Sequence, residues 1–184
     1  MREKIRAQAN AMKQMNDFSM KGEIVFFGST YMSEFPLYEF VNRCTFENAV
    51  YNRSIEELTV GEALEIVDDC VISIAPDKIF ISLGEADNDK DKAVEEYTRL
   101  VSGIRSRLPR CQLYLIGLSG DSEYVKEFNR DIAALCDNDK VRYIELISAK
   151  LSDRELCKAR FKQLSRFFRR LPLNMPEAFA MAQL

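Results

Sequence analysis

The sequence predicts an α/β protein in which helices cover both faces of a five-stranded parallel sheet, a three-layer α/β/α sandwich. Short apolar runs rich in β-branched and aromatic residues recur along the chain and are bounded by turn formers, which is the pattern of strands. The stretches between them carry apolar residues three and four positions apart, which is the pattern of amphipathic helices. Because the runs are almost continuously apolar, we expect strands buried on both faces, as in a parallel sheet.

The elements alternate between helix and strand after an N-terminal helical segment in residues 1–20. The predicted helices are Glu3–Asn16, Phe35–Arg43, Thr59–Ile74, Lys92–Leu108 and Glu123–Cys136. The predicted strands are Ile24–Phe27, Thr45–Tyr51, Lys78–Leu83, Gln112–Gly117 and Val141–Leu146. Residues 153–184 are predicted to be helical, with an interruption at Pro172–Pro176. We expect all 184 residues to form one domain.

The composition is ordinary for a globular protein, with 47% hydrophobic residues, 30% charged residues and a net charge of -3. This charge provides no global attraction for nucleic acid, and we expect no nucleic-acid partner. The five cysteines are widely spaced without a C-x-x-C pair, which predicts reduced thiols and no zinc site. No segment is typical of a signal peptide or a membrane span, so the sequence predicts a cytoplasmic protein without metal or cofactor.

Ligands of such sheets bind beyond the carboxyl ends of the strands. Four segments that follow predicted strands are therefore expected to surround one cleft: residues 28–30, 52–59, 84–87 and 117–122. The candidate pocket residues within them are Gly28, Ser29, Thr30, Asn52, Glu57, Gly84, Glu85 and Asp87.

Four stretches of the chain resemble conserved blocks of the bacterial SGNH (GDSL-like) esterases and acylhydrolases. Val25–Met32, followed by Phe35-Pro36, resembles the first block, in a branch that reads Gly-Ser-Ser. Tyr51–Thr59 is similar to the second block, Asn-Arg-Gly-Ile-x-Gly-x-Thr, and Ile79–Asp87 to the third, which ends in Gly-x-Asn-Asp. Arg169–Asn174 is similar to the fifth block, Asp-x-x-His-x-Asn. The resemblance implies the flavodoxin-like fold of that family over nearly the whole chain.

The same alignment places different residues at the five functional positions of the family. The nucleophilic serine falls on Thr30, the oxyanion-hole glycine on Glu57 and the oxyanion-hole asparagine on Ala86. The catalytic aspartate falls on Arg169 and the catalytic histidine on Pro172. The chain has no histidine at any position. The resemblance therefore implies a hydrolase homologue that has lost its catalytic residues.

Each replacement weakens the family's reaction. A hydroxyl nucleophile needs a base, and loss of nucleophile or base costs on the order of 10⁶ in turnover. Ala86 in place of an amide donor costs about 10²–10³ in rate, and we expect Glu57 to place a carboxylate where the oxyanion would develop. The sequence thus predicts a pseudoenzyme that acts as a binding or interaction module for a small molecule or a protein.

Two other hypotheses remain for the crevice. One is an atypical hydrolase of acyl or acetyl esters that uses Ser29 or Thr30 with a lysine or carboxylate base. The other is an acidic pocket in which Glu57, Glu85 and Asp87 bind a cation or a basic ligand group.

A further candidate surface lies in the C-terminal segment, where one helical face is basic. Its residues are Arg154, Lys158, Lys162, Arg166 and Arg170, opposite an apolar face of Cys157, Phe161, Leu164, Phe168 and Leu171. The pattern is typical of a core-packed helix with a solvated basic face. It also fits a docking site for an acidic protein, a nucleotide or a membrane surface.

Overall fold

A computed structural model describes residues 1–44, 46–137 and 139–168. Its strands are β1 (Ile24–Gly28), β2 (Val50–Asn52), β3 (Lys78–Ser82), β4 (Gln112–Ile116) and β5 (Val141–Ile144). They form one sheet in the order β2-β1-β3-β4-β5, and every neighbouring pair is parallel. The predicted five-stranded parallel sheet is confirmed.

Helices cover both faces of this sheet. They are α1 (Glu3–Gln14), α2 (Thr30–Glu34), α3 (Leu37–Val41), α4 (Val60–Cys70), α5 (Lys90–Arg107), α6 (Glu123–Ala133) and α7 (Asp153–Leu164). Val25 and Phe27 of β1 point into a core shared with α1, α4, α5 and α6. Ile24 and Phe26 point into a second core with α2, α3 and α7. Alternate residues of one strand thus pack into cores on opposite faces of the sheet, which confirms the three-layer α/β/α arrangement.

Three predicted elements differ most from the structure, and the bounds of the others shift by one to three residues. The predicted strand Thr45–Tyr51 is replaced by the shorter β2, which begins at Val50. The Ala49 N–H before it donates to the Glu23 carboxylate at 2.8 Å. Thr45 lies outside the described residues. The predicted helix Thr59–Ile74 ends at Cys70, and a 3₁₀ turn then leads to Ala75, whose φ of 45° is left-handed.

The predicted helix Phe35–Arg43 shortens to α3, and α2, which was not predicted, precedes it. Phe35 has extended dihedral angles, φ -64° and ψ 126°, because the ring of the following Pro36 disfavours the helical region. The earlier start of α2 makes Thr30 a helical residue.

Buried Arg53 attaches α1 to the domain. Its guanidinium donates to the Met12 carbonyl at 2.8 Å and to Ser19 Oγ at 2.9 Å, and it lies 5.8 Å from the centre of the Tyr51 ring. The Met12 carbonyl belongs to the last turn of α1, where the helix dipole is negative, and this partly compensates the buried charge. None of the helices in the described part of the chain has the length and apolarity needed to span a bilayer.

Candidate functional site

The crevice lies where the sheet changes direction. From β1 the chain passes to β2 on one side, and it later adds β3 on the other. In flavodoxin-like sheets with this strand order the ligand site opens at that switch point, beyond the carboxyl ends of the two central strands. The segments that follow β1 and β3 therefore form its centre.

Thr30, on which the resemblance places the nucleophile, is the first residue of α2. Its side chain is half-buried, and Oγ1 accepts a hydrogen bond of 2.9 Å from the backbone N–H of Glu57. Glu57 has φ of 59°, in the left-handed region that favours glycine. The backbone thus keeps the conformation suited to the glycine that the resemblance places here, and it keeps the amide donor, because that group does not depend on the side chain.

The expectation that Glu57 places its carboxylate at the oxyanion position is corrected by this geometry. The side chain is 64% exposed, and its carboxylate lies 3.4 Å from Nη1 of Arg2. Nη2 of Arg2 also donates to the Glu57 carbonyl. The amide, and not the carboxylate, faces the Thr30 hydroxyl.

Glu57→Gly is expected to be about 1 kcal/mol more stable than Glu57→Ala, because glycine adopts a positive φ without the steric cost that a Cβ imposes. Both variants lose the same exposed contact with Arg2, so the difference between their free energies of unfolding measures the cost of a positive φ at a residue with a side chain. Urea denaturation of the two proteins measures the difference. Equal midpoints would contradict a left-handed backbone at residue 57.

Two carboxylates of the loop after β3 bind backbone amides at neighbouring helices. Glu85 Oε1 accepts the Tyr31 N–H at 2.7 Å, and Asp87 accepts the Val60 N–H at 3.1 Å. Desolvation by the surrounding protein is the main cause that raises the pKa of each carboxyl. The predicted cluster of Glu57, Glu85 and Asp87 is therefore divided: Glu57 pairs with Arg2, whereas the other two carboxylates remain partly desolvated.

Ser29 precedes α2 and is completely buried. Its backbone N–H donates to the Ser82 carbonyl at 2.8 Å. Its hydroxyl lies near the Glu85 carboxylate without a well-formed hydrogen bond, and it caps no helix amide. An ester in the crevice has no open path to this hydroxyl, which disfavours Ser29 as a nucleophile.

The remaining predicted pocket residues shape the crevice. A Cβ on Gly28 would lie 2.6 Å from the Ser82 carbonyl, and one on Gly84 would lie 2.3 Å from the Phe128 ring. Asn52 donates through Nδ2 to the Met32 carbonyl at 3.0 Å and accepts the Ser54 N–H at 3.1 Å, so its amide is committed to the backbone. Half-buried Ala86 offers no side-chain donor.

Two openings adjoin at this end of the sheet. The Thr30 cleft has a volume of about 600 Å³ and is lined by Arg2, Thr30, Glu57, Thr59, Glu85, Ala86 and Asn88. The Ser82 cavity has a volume of about 620 Å³ and is lined by Tyr31, Ser82, Glu85, Asp87, Asn88, Gly117, Leu118, Ser119, Ser122, Tyr124 and Val125. Glu85 and Asn88 border both. The described residues contain no group of three or more histidine, cysteine or acidic side chains placed to hold a metal ion.

Solved structures with the same architecture identify the fold. A Streptococcus pneumonia protein whose name refers to platelet activating factor is 16% identical, with a TM-score of 0.77 over 90% of this chain and 92% of that one. A GDSL-like lipase from Bacteroides thetaiotaomicron is 13% identical, with a TM-score of 0.66 over 87% and 98% of the two chains. A lipase/acylhydrolase from Enterococcus faecalis is 14% identical, with a TM-score of 0.60 over 83% and 100%.

The chain has the fold of the GDSL-like (SGNH) hydrolases. Neither a protein-family model nor a curated protein sequence matches it. The likeness therefore lies in the backbone arrangement, and the chemistry has to be argued from the side chains above.

The fifth block of the SGNH resemblance, with Arg169 and Pro172, lies outside the described residues, as do Arg170 and Leu171. Residues 145–152 follow the carboxyl end of β5, and the sequence has no histidine to place there or elsewhere. The described chain ends at the opposite end of the sheet, where Nζ of Lys78, the first residue of β3, donates to the Phe167 carbonyl.

The predicted basic face is exposed on α7 and the turn after it, at Arg154, Lys158, Lys162 and Arg166. Phe161, Leu164 and Phe168 are buried in the core, and Cys157 is half-buried. This arrangement fits a core-packed helix with a solvated basic face.

Sequence reasoning missed Arg2, Tyr31, Ser82, Tyr124 and Arg160. Arg160 is buried, donates to Ser119 Oγ at 3.0 Å and lies 5.3 Å from the centre of the Tyr31 ring. Arg2 approaches the crevice from a position 55 residues before Glu57 in the sequence. In the sequence, two features could have indicated them: Arg160 lies on the apolar side of α7, and Ser82 is the last residue of an apolar strand.

Proposed function

We propose that this chain is a catalytically inactive protein with the SGNH hydrolase fold whose crevice binds a small molecule. One observation carries the proposal: the hydroxyl at the nucleophile position belongs to Thr30 and is held by the Glu57 amide, in a chain without histidine. An alcohol attacks an ester only when a base removes its proton.

The carboxylates near Thr30 are poorly suited to replace that base. Glu85 and Asp87 each accept a backbone N–H, and Glu57 pairs with Arg2. A carboxylate, even with a raised pKa, deprotonates an alcohol weakly. Ala86 adds no donor for a developing oxyanion, which by itself costs about 10²–10³ in rate. The alternative hydrolase using Ser29 or Thr30 is therefore the less favoured function.

Binding is supported by the shape of the crevice. The volume of the Ser82 cavity, about 620 Å³, falls in the usual range for small-molecule sites of about 300–1,000 Å³. Apolar side chains, tyrosine rings and a few polar groups line it together, which is the usual composition of such sites. Five unpaired cysteines support our further proposal that the protein works in a reducing compartment, the cytoplasm.

The purified protein is expected to hydrolyse p-nitrophenyl acetate and butyrate no faster than its Thr30→Ala variant, because Thr30 has no base. A fluorophosphonate probe is expected to leave the intact mass unchanged. Thr98→Ala, which removes an exposed threonine hydroxyl on α5, is the matched control.

Hydrolysis that persists in Thr98→Ala and disappears in Thr30→Ala or Ser29→Ala would overturn the proposal. A phosphonate adduct on Thr30 or Ser29 would do the same.

A further inference from the structure

We infer that the Ser82 cavity binds a small organic cation, an amine whose ammonium group lies at Glu85 and Asp87 and whose polar end reaches the Ser82 hydroxyl. The inference deepens the proposed function and rests on it, since it concerns the ligand that the crevice binds. Three features of the cavity support it independently: its charge, the unpaired hydroxyl of a buried serine and its aromatic and apolar wall.

The charged groups that line the cavity are both acidic. They are Glu85 and Asp87, and neither lysine nor arginine lines it. Each carboxylate accepts hydrogen bonds from one backbone N–H and retains lone pairs for another donor. The buried cation Arg160 lies against the Tyr31 ring and donates to Ser119 Oγ and the Ile147 carbonyl. Glu85 is exposed and Asp87 is half-buried, and a cationic ligand in the cavity would pair with both carboxylates.

Ser82 is the second feature. It is the last residue of β3, it is 3% exposed, and it lines the cavity. Its carbonyl accepts the Ser29 N–H, but its hydroxyl has no partner among the described residues. The residue is buried, but its Oγ keeps accessible surface at the cavity, so a ligand atom that bonds this hydroxyl gains a hydrogen bond there. Among the other polar groups of the wall, Tyr124 donates to the Gly84 carbonyl and exposed Ser119 accepts from Arg160, whereas the buried Tyr31 hydroxyl also has no hydrogen-bond partner among the described residues.

The remaining wall favours an organic body over a bare metal ion. Tyr31, Tyr124, Leu118 and Val125 present rings and apolar carbons to the cavity. Aromatic faces attract organic ammonium groups, and apolar carbons provide no ligands for a hard cation. Two carboxylates alone fall short of the oxygen ligands that Ca²⁺ or Mg²⁺ requires.

The test compares three probes that share a phenol ring and a short chain and differ in the group at its end: tyramine, tyrosol and 3-(4-hydroxyphenyl)propionate, which are a cation, a neutral alcohol and an anion. Titrations followed by backbone amide NMR shifts give each affinity and its location. Tyramine is expected to bind at least about tenfold more tightly than tyrosol, and the propionate more weakly than either, because the two carboxylates attract the ammonium group and repel the carboxylate. CaCl₂ and MgCl₂ are expected to leave the cavity shifts unchanged.

Four variants locate the effect. Glu85→Gln and Asp87→Asn are each expected to reduce the preference of the cavity for tyramine over tyrosol by about three- to tenfold. Ser82→Ala is expected to weaken tyramine and tyrosol alike and leave their ratio unchanged. Glu95→Gln, an exposed carboxylate on α5 outside the cavity lining, makes the same change in net charge and is expected to change neither affinity nor ratio.

Thermal melts identify any variant that fails to fold. In that case the order of the three probe affinities, measured on the unmodified protein, tests the inference. Tyrosol or the propionate binding as tightly as tyramine would overturn the inference, and so would the absence of tyramine binding or cavity shifts on adding Ca²⁺ or Mg²⁺. These outcomes leave the proposed function intact. Ester hydrolysis that depends on Thr30 or Ser29 overturns the proposed function whichever probe binds best.

Discussion

Gly84→Ala is expected to lower the free energy of unfolding by about 3–5 kcal/mol, because the new Cβ meets both a backbone and a packing obstacle. Gly84 has φ of 112°, a region that residues with a side chain rarely adopt. The Cβ would also lie 2.3 Å from Cζ and 2.5 Å from Cε1 of Phe128, a ring with no exposed surface. Such a ring has no space into which it can retreat. Urea denaturation monitored by circular dichroism measures the loss.

The matched control is Gly103→Ala in the middle of α5, where the added Cβ meets no atom within 4 Å. There alanine is expected to stabilise the protein by about 0.5–1 kcal/mol, since it is the better helix former. If the two variants shifted the midpoint equally, the conformation of Gly84 described here would be wrong.

Gly84 also connects stability to the candidate site. Its carbonyl accepts the Tyr124 hydroxyl at 2.6 Å, and Tyr124 forms part of the Ser82 cavity wall. A shift of the backbone at Gly84 therefore moves a ligand-facing ring. The glycine at this position is required by the packing under the crevice as well as by the turn after β3.

The fold was accessible from the sequence because its strongest signal is local. The runs that became β3 and β4 each have an unbroken apolar centre, Ile79–Ile81 and Leu113–Ile116, and a helix of clear period separates them, so a parallel sheet was the expected fold. The edge strand β2 was the weakest prediction. It has three residues, and the two residues before it, Asn48 and Ala49, donate to the Glu23 carboxylate, a contact that no periodicity encodes.

The candidate site was accessible only in part. Residues Thr30, Glu57 and Ala86 were predicted to lie at one crevice because they follow predicted parallel strands, and the structure describes them there. The direction of the Glu57 side chain depends on its positive φ and on Arg2, which is distant in sequence, so residue identity could not show it. Ser82 was missed since it continues the pattern of a buried strand, and only the loops around the strand end show that a cavity lies above it.

Phe80→Ala is expected to cost about 3–5 kcal/mol, the range for removing a fully buried phenylalanine. Phe80 lies in a ladder of rings across the three central strands, with ring centres 4.6 Å from Phe26 and 4.6 Å from Tyr114. Phe168 packs its edge on the same ring at 5.8 Å. Removing the ring therefore leaves a cavity bordered by two strand residues, Phe26 and Tyr114, and by Phe168 in the segment after α7. These three side chains belong to different elements and cannot all move to fill it.

The position of Phe80 also predicts where the damage appears. Because Phe80 contacts both Phe167 and Phe168, hydrogen exchange is expected to accelerate most in α7, the helix that carries the exposed basic row. Phe18→Ala removes the same ring from a site that is 80% exposed and is expected to cost less than about 0.5 kcal/mol. Equal losses in the two variants would show that α7 does not depend on the aromatic ladder. A large loss confined to Phe80→Ala, with faster exchange in α7, would show that the central strands hold this basic surface in place through aromatic packing.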